Sequence, residues 1–474
     1  MPVSPARAAA FEILLRIETT DSYASEMLHS ARFAKLSPVD HGLTTELVMG
    51  VLRWRGVLDL RIAEHTSQPL TKLDREVLIA LRLGTYQLLF LDRIPRHAAI
   101  NESVELVKRA RKRSATGVVN AVLRKVASAH FSQKQGEVGH PSLDNRPGKY
   151  RAAHPRWLIE RWERIYGTEV TNKICAYDQS TPQTAVRIRN AEHPSKVVGS
   201  PTHVGAGVLT RPAALRAATD DVQLAPGKLL SKAAIVTGGD ISRTAAFRER
   251  RLVIQDEASQ LVALLVGQGN AILDCCAAPG GKTRIMAERN PNATVVAMDL
   301  HPHRAALVRK LGTEPNVQVV AADARQMPFA KEFDRILVDA PCSGTGTLAR
   351  NPEIKWRLTP EDILRLQAYQ IEILNSAMQH VAPGGRIIYS SCSLEPEENE
   401  AVVAKAMESR ASFRVIECGE ELRQLRENGE LVWKDIDSLL SGQYLRTVPG
   451  VHPCDGFFAA VLERSLTSAH LFGR

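Results

Sequence analysis

Hydrophobic positions recur at helical spacing through the first third of the chain and in short strand-like runs through the last. Phe11, Leu14 and Leu15, and again Leu43, Leu47 and Val51, share one face of a 3.6-residue repeat. Further helical runs over 74–90, 98–110 and 117–128 are punctuated by Pro69 and Pro95. No strand pattern interrupts them, so an all-α domain is predicted over 1–135. Gly136, Gly139, Pro141, Pro147 and Gly148 mark 136–153 as a linker. Residues 154–253 combine a helix over 155–165, a strand over 184–188 and a loose Gly-, Ala- and Thr-rich stretch, which predicts a small α+β module. Its Trp157, Trp162 and Tyr166 are expected in a core and not as base-stacking platforms.

Over 254–465 the pattern changes. Short apolar runs at 271–274, 294–299, 317–321, 335–339 and 386–390 alternate with helical runs at 283–288, 302–311 and 361–381, and a late strand comes at 457–462. This alternation predicts an α/β Rossmann-like domain with a doubly wound parallel sheet. In such folds ligands lie outside the carboxyl ends of the strands.

Composition narrows the class. A chain of 474 residues exceeds one ordinary core, and a mean hydropathy of −0.16 describes a soluble protein. No apolar run approaches the ~20 residues of a membrane span, and Glu12 and Arg16 make the first stretch an amphipathic helix, not a leader. Seven cysteines without paired spacing suggest a reducing compartment, hence the cytoplasm. They also lack zinc spacing, so no metal is expected. Of the net charge of +9, residues 1–150 carry +7, with 22 Lys/Arg against 15 Asp/Glu. Its sharpest instance, Lys108-Arg109-Ala110-Arg111-Lys112-Arg113, reads either as a solvated surface or as a phosphate-facing patch.

The chemistry gathers at the strand ends. Asp274-Cys275-Cys276-Ala277-Ala278-Pro279-Gly280-Gly281-Lys282-Thr283 is glycine-rich, but Cys276 stands where a P-loop needs glycine and no dinucleotide fingerprint is present. The turn therefore reads as a place where a cofactor approaches backbone. Asp299 ends the second strand and suits ribose hydroxyls; Asp323, after the third, suits an adenine amino group. S-adenosylmethionine fits this set best. Asp339-Ala340-Pro341-Cys342 ends the fourth strand, and Tyr389-Ser390-Ser391-Cys392-Ser393 the fifth. Two thiols beside an Asp and a Lys point to covalent activation of a pyrimidine, with thiolate addition at carbon-6 of cytosine and Asp339 at the N3 edge. Either Cys342 or Cys392 could be the nucleophile. Cys175, Cys418 and Cys454 read as structural.

These motifs resemble the Sun-type family of bacterial RNA (cytosine-5) methyltransferases. The match takes in residues 274–283, 339–346, 389–400 and 455–458, with Gln255-Asp256-Glu257-Ala258-Ser259 and His154-Pro155-Arg156-Trp157 also similar. The resemblance implies a class I S-adenosylmethionine-dependent methyltransferase domain with Cys392 as nucleophile and Cys342 assisting product release. It implies that Cys276, Ala277, Ala278, Pro279, Gly280, Gly281, Lys282, Asp299, Asp323 and Asp339 line the cofactor pocket, with Arg304 adding to that side. Lys282 and Asp339 would reach the reaction centre. Ser391 stands where the family commonly has Thr. Residues 93–126 resemble a NusB-type RNA-binding domain. The whole layout is that of the bacterial enzymes that methylate a cytosine in 16S rRNA, free or in a partly assembled small subunit, and a monomer is expected. The alternatives are the same chemistry on tRNA or 23S rRNA, or a noncatalytic NusB-like binding or antitermination factor.

Overall fold

The computed structural model describes residues 3–136, 147–189, 222–312, 314–408 and 410–466. The chain forms two compact units. One comprises Met1–Pro182 together with Leu348–Arg357; the other takes 183–347 and the chain from Leu358 onward.

The first unit is helical, as the periodicity predicts. Helices Pro5–Thr19, Pro38–Ala63, Arg75–Phe90, Arg96–Arg109 and Thr116–Gly136 enclose a core in which Ile13, Leu47, Leu58, Ile62 and Leu81 have no exposed surface. Pro5 and Pro38 occupy first-turn positions where a missing N–H costs nothing, and the Ser37 hydroxyl caps its helix by accepting from Asp40 N–H at 3.1 Å. Part of the predicted linker, 147–152, is helical, whereas 137–146 lies outside the described residues. The helix expected to open the middle module lies in a helical segment, Arg156–Gln179, that is broken at Gly167 (φ +76°) and belongs to the helical unit, with Trp162 fully buried.

Ten residues from the middle of the methyltransferase-like sequence also belong to the helical unit. In Leu348–Arg357, Glu353 accepts from Ala24 N–H at 2.8 Å, Lys355 donates to the Arg53 carbonyl at 3.0 Å and Trp356 Nε1 to the Leu52 carbonyl at 2.7 Å. These hydrogen bonds satisfy backbone groups across more than 300 residues of chain, a pairing invisible to local periodicity. Lys355 lies buried near Asp178, which pairs with His154 Nε2 at 3.2 Å. A carbonyl can only accept, so His154 Nδ1 carries a proton toward Tyr150 O at 2.8 Å. Burial lowers the Lys355 pKa to about 7 and raises that of Asp178 to about 7. Asp178→Ala would leave His154 and Lys355 without this partner. It is expected to cost about 3 kcal/mol and to lower the melting point of this unit by roughly 6–12 °C in calorimetry.

The second unit holds two sheets. Strands β1 (Thr184–Ile188), β2 (Gln223–Pro226), β3 (Ala233–Gly238) and β4 (Leu252–Ile254) form an antiparallel sheet ordered β2-β3-β1-β4. The Gly-, Ala- and Thr-rich stretch at 190–221 lies outside the described residues. Glu257, buried at the start of the helix Glu257–Leu265, accepts from the N–H groups of Lys228, Leu229 and Leu230 at 2.8–3.0 Å. The Gln255–Ser259 motif therefore fastens this sheet to the first helix of the methyltransferase-like part.

Strands β5 (Ala271–Asp274), β6 (Thr294–Asp299), β7 (Val317–Ala321), β8 (Phe333–Asp339) and β9 (Val381–Ser391) are parallel in the order β7-β6-β5-β8-β9. Helices Gly281–Arg289, Pro302–Lys310 and Pro360–His380 lie between them in sequence, as parallel crossovers require. The sheet is mixed and not wholly parallel. Strand β13 (Phe457–Arg464) runs antiparallel to β9, and its other edge pairs with both β12 (Tyr444–Thr447) and β10 (Phe413–Ile416). Strand β11 (Leu440–Ser441) completes a hairpin with β12. Apolar content alone cannot distinguish these strand directions. The order reverses between β5 and β8, which places a crevice at their carboxyl ends. Among the described residues no helix is long and apolar enough to cross a membrane.

Candidate active site

Register brings the two thiols together. Asp339 of β8 pairs with Ser390 of β9, and Ala340 N–H donates to the Ser390 carbonyl at 2.9 Å. Three and two residues beyond that pair, Cys342 and Cys392 place their Sγ atoms 3.2 Å apart. The loop after Cys342 then folds back, with Gly346 N–H donating to the Cys392 carbonyl at 2.9 Å and Gly456 N–H to the Gly346 carbonyl at 2.8 Å. A Cβ on Gly346 would lie 2.3 Å from the Gly456 carbonyl oxygen, so only glycine permits this approach.

The glycine-rich turn supplies the cation. Gly280 caps the helix Gly281–Arg289 at φ +102°, a backbone conformation that favours glycine. Lys282 in the first turn reaches Asp339 Oδ2 at 2.7 Å and lies 5.1 Å from the Phe457 ring centre. The other Asp339 oxygen accepts from Ser390 Oγ at 2.8 Å. Burial pulls the Lys282 pKa down, but Asp339 and Cys392 outweigh it and keep the ammonium charged. The Cys342 thiol is pushed well up by its hydrogen bond with Cys392, by burial and by the charges of Cys392 and Glu398. Cys392 is thus among the groups that favour the charged form of Lys282, and the Cys342 thiol is raised.

The predicted cofactor residues line the same edge. Asp274, whose pKa burial raises to about 7, accepts from Thr283 Oγ1 at 2.6 Å and anchors the turn. Asp299 Oδ2 accepts from Ala278 N–H at 3.2 Å and Oδ1 from His301 N–H at 3.1 Å. Ala277 N–H donates to the Met298 carbonyl at 2.8 Å, and the next peptide bonds lead through Pro279 to Gly280 and Gly281. Arg304 is exposed, with Nη2 3.4 Å from the Ala278 carbonyl and Nε 3.8 Å from Asp299. Asp323 lies two residues past β7 and is gripped by Arg325 at 2.7 Å. Burial pushes the Cys275 and Cys276 thiols well above their usual range, as it does Cys454 and, less far, Cys175 and Cys418. The seven cysteines are free thiols. Among the described residues no cluster of His, Cys, Asp or Glu could hold a metal ion.

Sequence reasoning misses Ser390, Phe457 and a buried polar set behind the thiols: Ser343, Ser393, Glu398 and Asn399. The available signal is a hydroxyl residue beside each cysteine at the end of an apolar strand.

Comparison with known proteins shows the family. The profile of the family described as 16S rRNA methyltransferase RsmB/F matches residues 261–463, and that of the NusB family matches 4–128. The probable ribosomal RNA small subunit methyltransferase B of Bacillus subtilis is 32% identical over 425 residues, covering 87% of this chain and 90% of that protein. The ribosomal RNA small subunit methyltransferase B of Vibrio cholerae is 31% identical over 465 residues, covering 97% of each. The crystal structure of PH0851 shares the fold, with a TM-score of 0.73 at 22% identity over 98% of this chain and 100% of that one. Across both units, then, the chain belongs to the RsmB/F family of rRNA methyltransferases.

Proposed function

We propose that this chain moves the methyl group of S-adenosylmethionine to carbon-5 of a cytosine in 16S rRNA, through a transient bond between Cys392 and carbon-6. The observation that carries this reading is the pair of thiols 3.2 Å apart beside the Lys282–Asp339 ion pair. Carbon-5 of cytosine is a poor nucleophile; thiolate addition at carbon-6 turns the ring into an enamine that can take a methyl group. The Lys282–Asp339 pair at the ring's N3 edge stabilises the charge that develops there. The base reaches these groups only when unstacked from its RNA.

The cofactor residues suit their ligand. S-adenosylmethionine supplies an electrophilic methyl group when bound. Each Asp299 oxygen accepts one backbone N–H, leaving lone pairs for ribose hydroxyls. Gly280 and Gly281 leave the turn open to close approach, and Asp323, here paired with Arg325, would accept from the adenine amino group. The relatives named for the small subunit favour 16S rRNA as the target.

The NusB-like unit holds RNA through phosphates. Within its basic cluster Lys108 pairs with Glu105 at 2.6 Å and Lys112 with Asp74 at 3.1 Å, while Arg109, Arg111 and Arg113 are exposed. Reversing all three arginines to glutamate is expected to weaken RNA binding and reduce its log–log salt slope by about 2–3. Filter binding across a salt series that gave an unchanged slope would remove the patch from the interface.

The decisive test is methyl transfer from labelled S-adenosylmethionine to RNA and small-subunit particles from a strain lacking this gene, with the modified position mapped. Label in one 16S cytosine is expected. Label in tRNA or 23S rRNA would keep the chemistry and replace the substrate. No label on RNA or particle would favour a noncatalytic binding factor.

A further inference from the structure

The polar groups buried behind the thiols have no part in bond formation or methyl transfer. Glu398 has no exposed surface, yet its carboxylate accepts four hydrogen bonds. Oε1 takes Ser343 N–H at 2.8 Å and Gln370 Nε2 at 2.9 Å. Oε2 takes Ser393 Oγ at 2.5 Å and also Ser343 Oγ. Ser343 follows Cys342 and Ser393 follows Cys392, so one side chain spans both thiol loops. Gln370 Nε2 also donates to the Pro341 carbonyl at 2.8 Å, on the other side of Cys342. Asn399 brackets Cys392 in the same way. Its Oδ1 accepts from Ser391 Oγ at 2.5 Å, and its Nδ2 donates to the Ser393 carbonyl at 2.9 Å. The turn carrying both residues is tied to β9 by the Tyr389 hydroxyl, which donates to the Glu398 carbonyl at 2.6 Å.

Closing two loops needs no buried carboxylate, since apolar packing does so without the desolvation cost of a charge. What a densely hydrogen-bonded polar cluster adds is direction, because each of its donors must keep its distance and angle. We propose that Glu398 and Asn399 are positioning residues for the two-thiol centre, holding the Cys342 and Cys392 loops at a fixed separation so that one thiol serves the adduct formed by the other. The functional meaning of this role rests on the proposed covalent reaction. Apart from the charge by which Glu398 raises the Cys342 thiol, both residues hold the thiol loops through Ser343, Ser391 and Ser393. The role is geometric and does not require charge. A glutamine at 398 can accept from Ser343 N–H and Gln370 with its oxygen and donate to the two hydroxyls with its nitrogen.

A trivalent arsenical reads the separation without RNA or cofactor. Phenylarsine oxide condenses with two thiols to form two As–S bonds, releasing its oxygen and the two thiol protons as water. The full-length protein should bind one equivalent at Cys342 and Cys392, and Cys342→Ser gives the background from Cys275 and Cys276. Glu398→Ala is expected to weaken this bridging at least about tenfold, ~1.4 kcal/mol, and Glu398→Gln to restore it. S-adenosylmethionine binding and cooperative melting report folding. Should Glu398→Ala fail to fold, the Ser343→Ala/Ser393→Ala double variant is held to the same tenfold criterion. Bridging as tight as wild type in a folded variant overturns the positioning role. Weakened bridging in a chain that methylates no RNA sustains that role and overturns the reaction instead.

Discussion

Cys392→Ala is expected to lose methyl transfer by roughly 10³-fold or more, the scale set by removing a covalent nucleophile, while keeping its affinity for S-adenosylmethionine. The two effects separate because most of the residues proposed to hold the cofactor lie on the glycine-rich turn and at or just beyond the ends of β6 and β7, whereas Cys392 follows β9. Lys282 makes the effect specific to this thiol. Its ammonium, kept charged by Asp339, would in the proposed reaction stabilise the charge that Cys392 carries when it attacks. Cys342 is not expected to take over: this variant removes its hydrogen bond with Cys392, but burial and the charge of Glu398 still raise its thiol. Single-turnover transfer to the mapped RNA substrate checks the assignment, with calorimetry for the cofactor. Full turnover in this variant would sink it.

Cys342→Ala should behave oppositely: bond formation proceeds and release fails. After carbon-5 takes the methyl group, its proton must leave. The electrons of that C–H bond then re-form the carbon-5–carbon-6 double bond as the sulfur of Cys392 departs. A base beside the adduct is needed for that step, and Cys342 Sγ is 3.2 Å from the sulfur that must leave. To take that proton Cys342 must first give up its own, which becomes easier once Cys392 is bonded to carbon-6 and no longer raises it. The expected result is a protein–RNA adduct that survives denaturing electrophoresis, absent from the Cys342→Ala/Cys392→Ala double variant. Normal turnover without such a species would take Cys342 out of the release step.

These two outcomes, with the arsenical measurement on Glu398, separate the chemistry of the thiols from the scaffold that holds them. A loss of both attack and release in Glu398→Ala, with cofactor binding intact, is the pattern a displaced pair of loops predicts.

Much of this site is legible along the chain. The strand ends at Asp274, Asp299 and Asp339, the glycine-rich turn and the positions of the two cysteines each depend on neighbours within a few residues. Periodicity and punctuation are local properties, and they decide element type. Other features are not local. Sequence pattern groups the helix Arg156–Gln179 with the middle module, but the buried Trp162 and the His154–Asp178 pair place it in the helical unit. Residues 348–357 read as methyltransferase sequence, yet their partners are Ala24, Leu52 and Arg53.

Local pattern is thus enough to order a helical part before an α/β part, and to gather the candidate reactive side chains at the carboxyl ends of successive strands. It leaves Cys342 and Cys392 chemically equivalent. What three dimensions add is their proximity, because register between β8 and β9 sets the distance between the sulfurs, and burial and neighbouring charge raise the Cys342 thiol. Folding also turns Glu398 and Asn399 from residues of a motif into a brace for both loops. Hydrogen bonds across 55 residues, such as that from Ser343 to Glu398, exist only once strands distant in sequence lie side by side.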